Sequence, residues 1–183
     1  MRRAVFFDRD GVLNEAPVRD GVPHPPASLA ALRFVDGAEA AVRAVHEAGF
    51  LALVVTNQPD VARGTASRTS VEAIDEAVAQ RLRLDGVYAC FHDDADACEC
   101  RKPKPGLLLR AADEWKLDLA ASYLIGDRVK DVACGRAAGC TTIFIDRGYA
   151  ETTASPGADA SVATLTQAVA IVVERARAQG ARA

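Results

Sequence analysis

Apolar residues arrive along this chain in short runs, separated by stretches with helical spacing, and that alternation predicts a parallel α/β sheet. The first run, residues 4–7, is Ala-Val-Phe-Phe with no polar position, as a strand covered on both faces requires. Residues 50–55 and 123–125 read the same way, and shorter strands are expected at 87–91 and 142–145. Between the first two strands, residues 37–48 set alanines, Val42 and Val45 at helical spacing and stop at Gly49. Thr69 followed by Glu72 matches a capping box, for a helix running to about Leu84. Pro105-Gly106 introduces a helix carrying Leu107, Leu108, Ala111, Ala112 and Trp115, with the indole covering its apolar side. A short helix from about Val129 ends near Gly139, and an edge element at 162–165 precedes a last helix over 166–178. Residues 15–33 contain Pro17, Gly21, Pro23, Pro25 and Pro26 and read as an irregular loop, because proline removes donors and fixes the backbone. No repeat, long linker or insertion of cap-domain size interrupts the pattern. The expected architecture is one domain over residues 1–183, a Rossmann-like three-layer α/β/α fold with a mainly parallel sheet and no large cap.

The composition narrows the class of function. At 183 residues and 50% hydrophobic, the chain can bury a full core, which argues against disorder. A net charge of -3, with no basic stripe, argues against a nucleic-acid partner. No apolar run reaches the roughly 18 residues needed to span a bilayer. The basic start meets Asp8 too early for a secretory apolar segment, so the expected compartment is the cytoplasm. The sequence leaves the oligomeric state open, and a monomer is compatible with it.

The chemistry sits at the ends of the expected strands. Asp8 and Asp10 follow the first strand, Thr56 follows the second, Lys102 lies in a loop, and Asp127 follows the fourth strand with Asp131 four residues on. All could converge outside the carboxyl edge of the sheet. Two acids one residue apart repel each other. They make sense if a cation bridges them or if one attacks an electrophile. A hydroxyl, an ammonium and several carboxylates around a hard cation constitute a phosphate-handling site. A dinucleotide fold is disfavoured, because the first strand runs into acids rather than a Gly-x-Gly-x-x-Gly turn.

A second cluster involves cysteine. The chain has five cysteines, an odd total that does not suit an exported disulfide scaffold. Cys90-x-His92, a gap of five residues and Cys98-x-Cys100 offer three thiolates and an imidazole, a tetrahedral set for zinc with no open position. The zinc loop, residues 90–100, is therefore expected to be structural, and its polar residues 93–97 cannot pack as core. Cys100 directly precedes Arg101 and Lys102, so fixing the loop fixes those positive groups. Cys134 and Cys140 read as buried thiols.

Four segments, Asp8-Arg9-Asp10-Gly11, Thr56-Asn57-Gln58, Lys102, and Gly126-Asp127-Arg128-Val129-Lys130-Asp131, resemble the four motifs of the haloacid-dehalogenase-like phosphatase superfamily. The resemblance covers residues 4 to about 148. It implies Asp8 as nucleophile and Asp10 as general acid/base. It also implies Mg²⁺ held by the Asp8 carboxylate, the Asp10 main-chain carbonyl and Asp127, with Thr56 and Lys102 on the phosphoryl oxygens. Asp131 would orient Lys102 or a metal-bound water. Physical chemistry agrees: a carboxylate repels a phosphate dianion, so attack needs cationic screening. Phosphate-transferring members of the superfamily carry an apolar residue between the two acids; Arg9 stands there in this chain, which favours hydrolysis.

With the zinc cluster added, the chain is similar to the zinc-bearing, capless subfamily of heptose bisphosphate and histidinol-phosphate phosphatases. Ala62-Arg63-Gly64 and Arg101-Lys102-Pro103-Lys104-Pro105-Gly106 share in that likeness. It implies a small phosphorylated metabolite as substrate. The first expectation is the 7-phosphate of D-glycero-D-manno-heptose 1,7-bisphosphate; histidinol phosphate or another small metabolite is the alternative. Arg101 would reach the distal phosphate or sugar, with Asn57, Gln58 and Arg63 near the substrate. The chain departs from the heptose pattern in its short zinc loop, in Gln58-Pro59-Asp60 where Gln-Ser-Gly is usual, and in its proline-rich first loop. A rival of another class is a non-catalytic, zinc-stabilised module that binds a phospho-ligand, although such a module has no need of a nucleophile–acid pair.

Overall fold

A computed structural model describes residues 1–149 and 157–180. In chain order the elements are β1 (Ala4–Phe7), two-residue strands β2 (Val18–Arg19) and β3 (Val22–Pro23), α1 (Ala38–Glu47), β4 (Leu51–Asn57), α2 (Arg68–Leu82), β5 (Gly86–Cys90), α3 (Gly106–Trp115), β6 (Tyr123–Gly126), α4 (Val129–Ala138), β7 (Thr141–Ile145), β8 (Ala160–Val162) and α5 (Leu165–Gly180). Six strands form one sheet in the order β5-β4-β1-β6-β7-β8, with every neighbouring pair parallel.

The uninterrupted apolar strands follow from helices covering both faces. On one face Val5, Phe7, Val54 and Ile125 pack with Val42 of α1, Val78 of α2 and Val169 of α5. On the other, Phe6, Leu53 and Leu124 pack with Leu107, Leu108 and Ala111 of α3 and Cys134 of α4. Cys134 and Cys140 are buried and free, as expected of core thiols. β1 lies at the centre, with Phe6 in register with Leu53 on one side and Leu124 on the other. After β1 the chain runs outward to β4 and β5, then returns to β6 on the opposite side. The carboxyl end of β1 is therefore the topological switch point, the usual crevice for a ligand in an open parallel sheet.

Three local expectations are corrected. Helix α2 is capped by Ser67, whose hydroxyl accepts from Ser70 N at 3.1 Å. Thr69 lies inside the helix, and Glu72 pairs with Arg68 at 2.7 Å instead of reaching back to cap. The proline-rich stretch is not wholly irregular, because β2 and β3 form a hairpin. Its turn, Asp20-Gly21, has positive φ at both residues, 52° and 77°, the pairing that a two-residue hairpin demands. Finally, the edge strand is Ala160–Val162, and Leu165 already opens α5 with its side chain buried.

Candidate active site

The turn after β1 sets the two acids. Arg9 O accepts from Leu13 N at 2.9 Å and from Asn14 N at 3.1 Å, and Gly11 N donates to Asn14 O at 2.7 Å. Gly11 has a φ of +86°, and a Cβ there would collide with the Asp127 carboxylate. Glycine thus permits both the turn and the close approach of the β6 end to the β1 end.

Asp8, Asp127 and Asp131 bring one carboxylate oxygen each within 4.8 Å of one another. Lys102, 2% exposed, reaches into this group. Its ammonium lies 2.8 Å from Asp8 Oδ1 and 2.7 Å from Asp131 Oδ1, and donates to Val55 O at 2.9 Å. These three partners match the three protons of an ammonium. Asp131 also accepts from Arg128 N at 3.0 Å through Oδ2, so one side chain ties the start of α4 to the lysine. Asn57 grips the lysine's backbone from β4, donating to Lys102 O at 3.0 Å and accepting from Lys102 N at 3.1 Å.

Burial dominates the electrostatics. It raises the Asp8 carboxyl from an ordinary 3.8 to about 6, against the pull of Lys102 and with help from the Asp131 charge. Burial, then Asp8 and Asp131, hold Asp127 well above its ordinary value. Burial by itself would lower Lys102, but Asp131 and then Asp8 outweigh it and leave the ammonium raised. Such a group of mutually repelling carboxylates suits a cation. Asp127 Oδ1 supports the fit directly, being buried with no hydrogen-bond partner, while Asp127 Oδ2 accepts from Tyr149 OH at 2.9 Å. The donor set is all oxygen, as a hard cation such as Mg²⁺ prefers.

Asp10 faces the same cleft and is held differently. Arg9 Nε and Nη2 donate to its two oxygens at 3.1 and 2.9 Å, Asn14 Nδ2 donates at 2.9 Å, and Gln58 Nε2 donates at 2.7 Å. Gln58 also donates to Thr56 Oγ1 at 2.9 Å. The structure thus sets the Gln58 amide behind Asp10 and Thr56 and not on the cleft wall. Asp8, Asp10, Thr56 and Lys102 line a cleft of about 350 Å³, and Val22 to Pro25 supply one of its walls. Arg63, Arg101, Arg128 and Lys130 add positive charge around it. Arg63 makes a bidentate pair with Asp93, both contacts at 2.7 Å, and Arg101 pairs with Asp94 at 2.6 Å. Both arginines are therefore attached to the loop between Cys90 and Cys100 as well as facing the cleft.

In that loop, the four ligand atoms cluster through His92 Nδ1. Sulfur–sulfur separations are 3.0 Å for Cys90–Cys100, 3.5 Å for Cys98–Cys100 and 3.7 Å for Cys90–Cys98. The imidazole nitrogen is 3.2 Å from Cys100 Sγ and 3.6 Å from Cys90 Sγ. Bonds of about 2.3 Å to sulfur in a tetrahedron need edges of about 3.8 Å; the 3.7 and 3.5 Å edges approach this and the Cys90–Cys100 edge is shorter, while three thiols and an imidazole are the donor types that zinc takes. The polar residues between also have internal support: Asp93 and Asp96 form a reciprocal capping box around a single turn of 3-10 helix.

Sequence reasoning missed three residues. Arg9 is 0% exposed, Tyr149 contacts Asp127, and Asp75 of α2 bonds Arg9 Nη1 at 2.7 Å. Asp75 left a trace in the sequence, as an acid on the otherwise apolar stripe of Val71, Ile74, Val78 and Leu82.

A HAD-hydrolase-like family model matches residues 99–168. The D-glycero-beta-D-manno-heptose-1,7-bisphosphate 7-phosphatase of Yersinia pestis is 38% identical over 79% of this chain and 80% of its own length. The enzyme of the same name from Escherichia coli K12 is 37% identical, over 79% and 78%. Among solved structures, the D,D-heptose 1,7-bisphosphate phosphatase from B. bronchiseptica, complexed with magnesium and phosphate, superposes with a TM-score of 0.82. That match covers 94% of this chain and 99% of that one at 24% identity, and it speaks for the fold. Among the described residues, no helix is long and apolar enough to cross a membrane.

Proposed function

This chain belongs to the haloacid-dehalogenase-like hydrolases and is a phosphomonoesterase, and from that premise we propose that it removes the 7-phosphate of D-glycero-D-manno-heptose 1,7-bisphosphate with Asp8 as nucleophile. The observation that carries the mechanism is the meeting of Lys102 with Asp8 and Asp131 beside Asp127, next to a cleft that Arg63, Arg101, Arg128 and Lys130 also line. The substrate reading is supported by the names and coverage of the relatives.

Asp8 attacks phosphorus, a new carboxylate O–P bond forms, and the bond from phosphorus to the sugar oxygen breaks. Asp10, positioned by Arg9, Asn14 and Gln58, gives its proton to the leaving alkoxide. It then takes a proton from the water that attacks the aspartyl-phosphate, releasing inorganic phosphate and restoring Asp8. Lys102 and Thr56 hold the phosphoryl oxygens, and Asp131 keeps the ammonium aimed. Mg²⁺, held by Asp8, Asp127 and the Asp10 main-chain carbonyl, would screen the carboxylates and stabilise the equatorial oxygens. Zinc at Cys90, His92, Cys98 and Cys100 would fix the loop that carries Arg101 and Lys102. Arg101 and Arg63 then face the far end of the substrate, while Asn57 holds the lysine backbone. Five free cysteines and a phosphorylated sugar substrate suit the reducing cytoplasm.

The test is Mg²⁺-dependent phosphate release from both anomers of the heptose bisphosphate and from histidinol phosphate, ranked by kcat/KM. Preference for histidinol phosphate would overturn the substrate. Binding without Mg²⁺-dependent turnover of any phosphomonoester would overturn the enzyme reading in favour of a binding module.

A further inference from the structure

We propose that Asp75 is a positioning residue for the reaction: from helix α2 it holds the buried guanidinium of Arg9, and Arg9 in turn fixes the carboxylate of Asp10. The proposal rests on the reading of Asp10 as general acid/base given above.

The contacts form a chain of three charges. Asp75 Oδ1 accepts from Arg9 Nη1 at 2.7 Å. The opposite edge of the same guanidinium, Nε and Nη2, grips Asp10 Oδ1 and Oδ2 at 3.1 and 2.9 Å. A guanidinium is planar and rigid, so anchoring Nη1 sets the plane and direction of the edge that meets Asp10. Arg9 and Asp10 are adjacent in the chain, and their backbone alone leaves every torsion of the arginine side chain to be fixed. The anchor that fixes them comes from 66 residues away. The Asp10 side chain remains 16% exposed toward the cleft, whereas the Arg9 side chain is 1% exposed and neither Arg9 nor Asp75 lines that cleft. Asp75 therefore acts through Arg9 and does not touch substrate.

Asp75 compensates the buried charge of Arg9, but stability does not account for burying the pair in the first place. Asp75 stands on the inward side of α2, among Val71, Ile74, Val78 and Leu82, a stripe that apolar residues otherwise fill. Burial raises its carboxyl in spite of Arg9, and buried ion pairs are often no more stabilising than apolar replacements of similar size. What the triad does supply is direction. A general acid contributes about 10²- to 10⁴-fold, and a displacement of about 1 Å in a reacting group can cost about 10²-fold.

The test uses the leaving group. A sugar phosphate leaves as a strongly basic alkoxide and needs a proton, whereas p-nitrophenolate leaves readily without one. Wild type, D75N, D75E and D10N are compared by kcat/KM on the sugar phosphate and on p-nitrophenyl phosphate, in the zinc- and magnesium-loaded protein. D75N is expected to lose about 10- to 100-fold on the sugar phosphate and less than about threefold on the aryl phosphate. Asp75→Glu keeps the charge in place, guards against loss of the fold, and should show a smaller loss with the same selectivity. Equal losses on both substrates, or none on either, would overturn the proposal. D10N should show the larger selective loss. If D10N instead loses equally on both substrates, the acid role of Asp10 fails first, which separates the failure of that reading from the failure of Asp75.

Discussion

Replacing the proposed nucleophile Asp8 by asparagine should abolish turnover and yet stabilise the magnesium-free protein at neutral pH. The Asp8 carboxyl is raised by burial from 3.8 to about 6, even with the Lys102 ammonium 2.8 Å away. At about 1.4 kcal/mol per pKa unit, keeping it ionised above pH 6 costs the fold about 3 kcal/mol. The sign follows from linkage: the folded pKa lies above the unfolded one, so the stabilising contribution is complete below about 3.8 and is lost as pH rises through about 6. The asparagine side chain of D8N would carry no such charge while keeping an oxygen that can accept from Arg9 N and Lys102, as Asp8 Oδ1 does. Removing the charge also relieves Asp127, whose carboxyl Asp8 helps to raise.

D8N is therefore expected to be about 1–3 kcal/mol more stable than wild type at pH 7.5 without Mg²⁺. For a domain of this size that corresponds to a Tm higher by about 2–10 °C. The stability difference should shrink toward zero near pH 4. The assay is denaturant unfolding of both proteins from pH 4 to 8, with magnesium omitted by dialysis instead of chelation, so that the zinc proposed at the cysteine cluster is retained. Added Mg²⁺ should stabilise wild type more than D8N. A D8N protein no more stable than wild type at pH 7.5, or a difference independent of pH, would refute the electrostatic argument. Retention of more than a few per cent of the phosphatase rate would refute Asp8 as nucleophile.

Three other perturbations have definite outcomes. Cys100→Ser should release zinc, measured by metal analysis of the purified protein, and lower kcat/KM by about 10²-fold through displacement of Arg101 and Lys102; full zinc content or unchanged rate would contradict the loop's role. Tyr149→Phe removes the 2.9 Å hydrogen bond to Asp127 Oδ2 and should weaken Mg²⁺ about tenfold, read as the Mg²⁺ concentration giving half of the maximal Tm increase. Gly11→Ala would place a Cβ into the Asp127 carboxylate at a φ of +86°; it should reduce Mg²⁺-induced stabilisation and activity together, and wild-type behaviour would show that this close approach is not required.

The fold was legible because its strands have one reading. Ala4–Phe7, buried on both faces, offers no polar side to solvent, and helical spacing between such runs leaves a parallel sheet as the outcome. The places where the reading failed are those where short-range hydrogen bonds decide. A serine two residues earlier than Thr69 caps α2 because its backbone is extended there. The hairpin in the proline-rich loop depends on positive φ at Asp20 and Gly21, which competes with the loop signal of the surrounding prolines. Asp8, Asp10, Thr56, Lys102 and Asp127 were visible because each follows a strand or sits in a motif. Tyr149 was not, because it lies beyond β7 and meets Asp127 only through the fold.

Arg9 and Asp75 show why spacing alone cannot recover the support of a site. In sequence, Arg9 serves only to favour hydrolysis, and nothing connects it with the acid of Asp75 on an apolar helical stripe. The fold places both inside, where an isolated charge is costly, and their pairing across 66 residues makes the cost tolerable. An acid that interrupts an apolar helical stripe is the one-dimensional sign of such a pair, and here its partner stands on the turn after β1. That turn carries Asp8 and Asp10, the carboxylates proposed to react. The same burial that raises Asp8 and Asp127 thus also strengthens the contacts that aim Asp10, because fixed charges act most strongly where water is absent. The groups proposed to react and their supports share one low-dielectric crevice, so a change at Asp75 is expected to be felt in proton transfer as well as in the fold, where it removes one of the two carboxylates that pair with the buried Arg9.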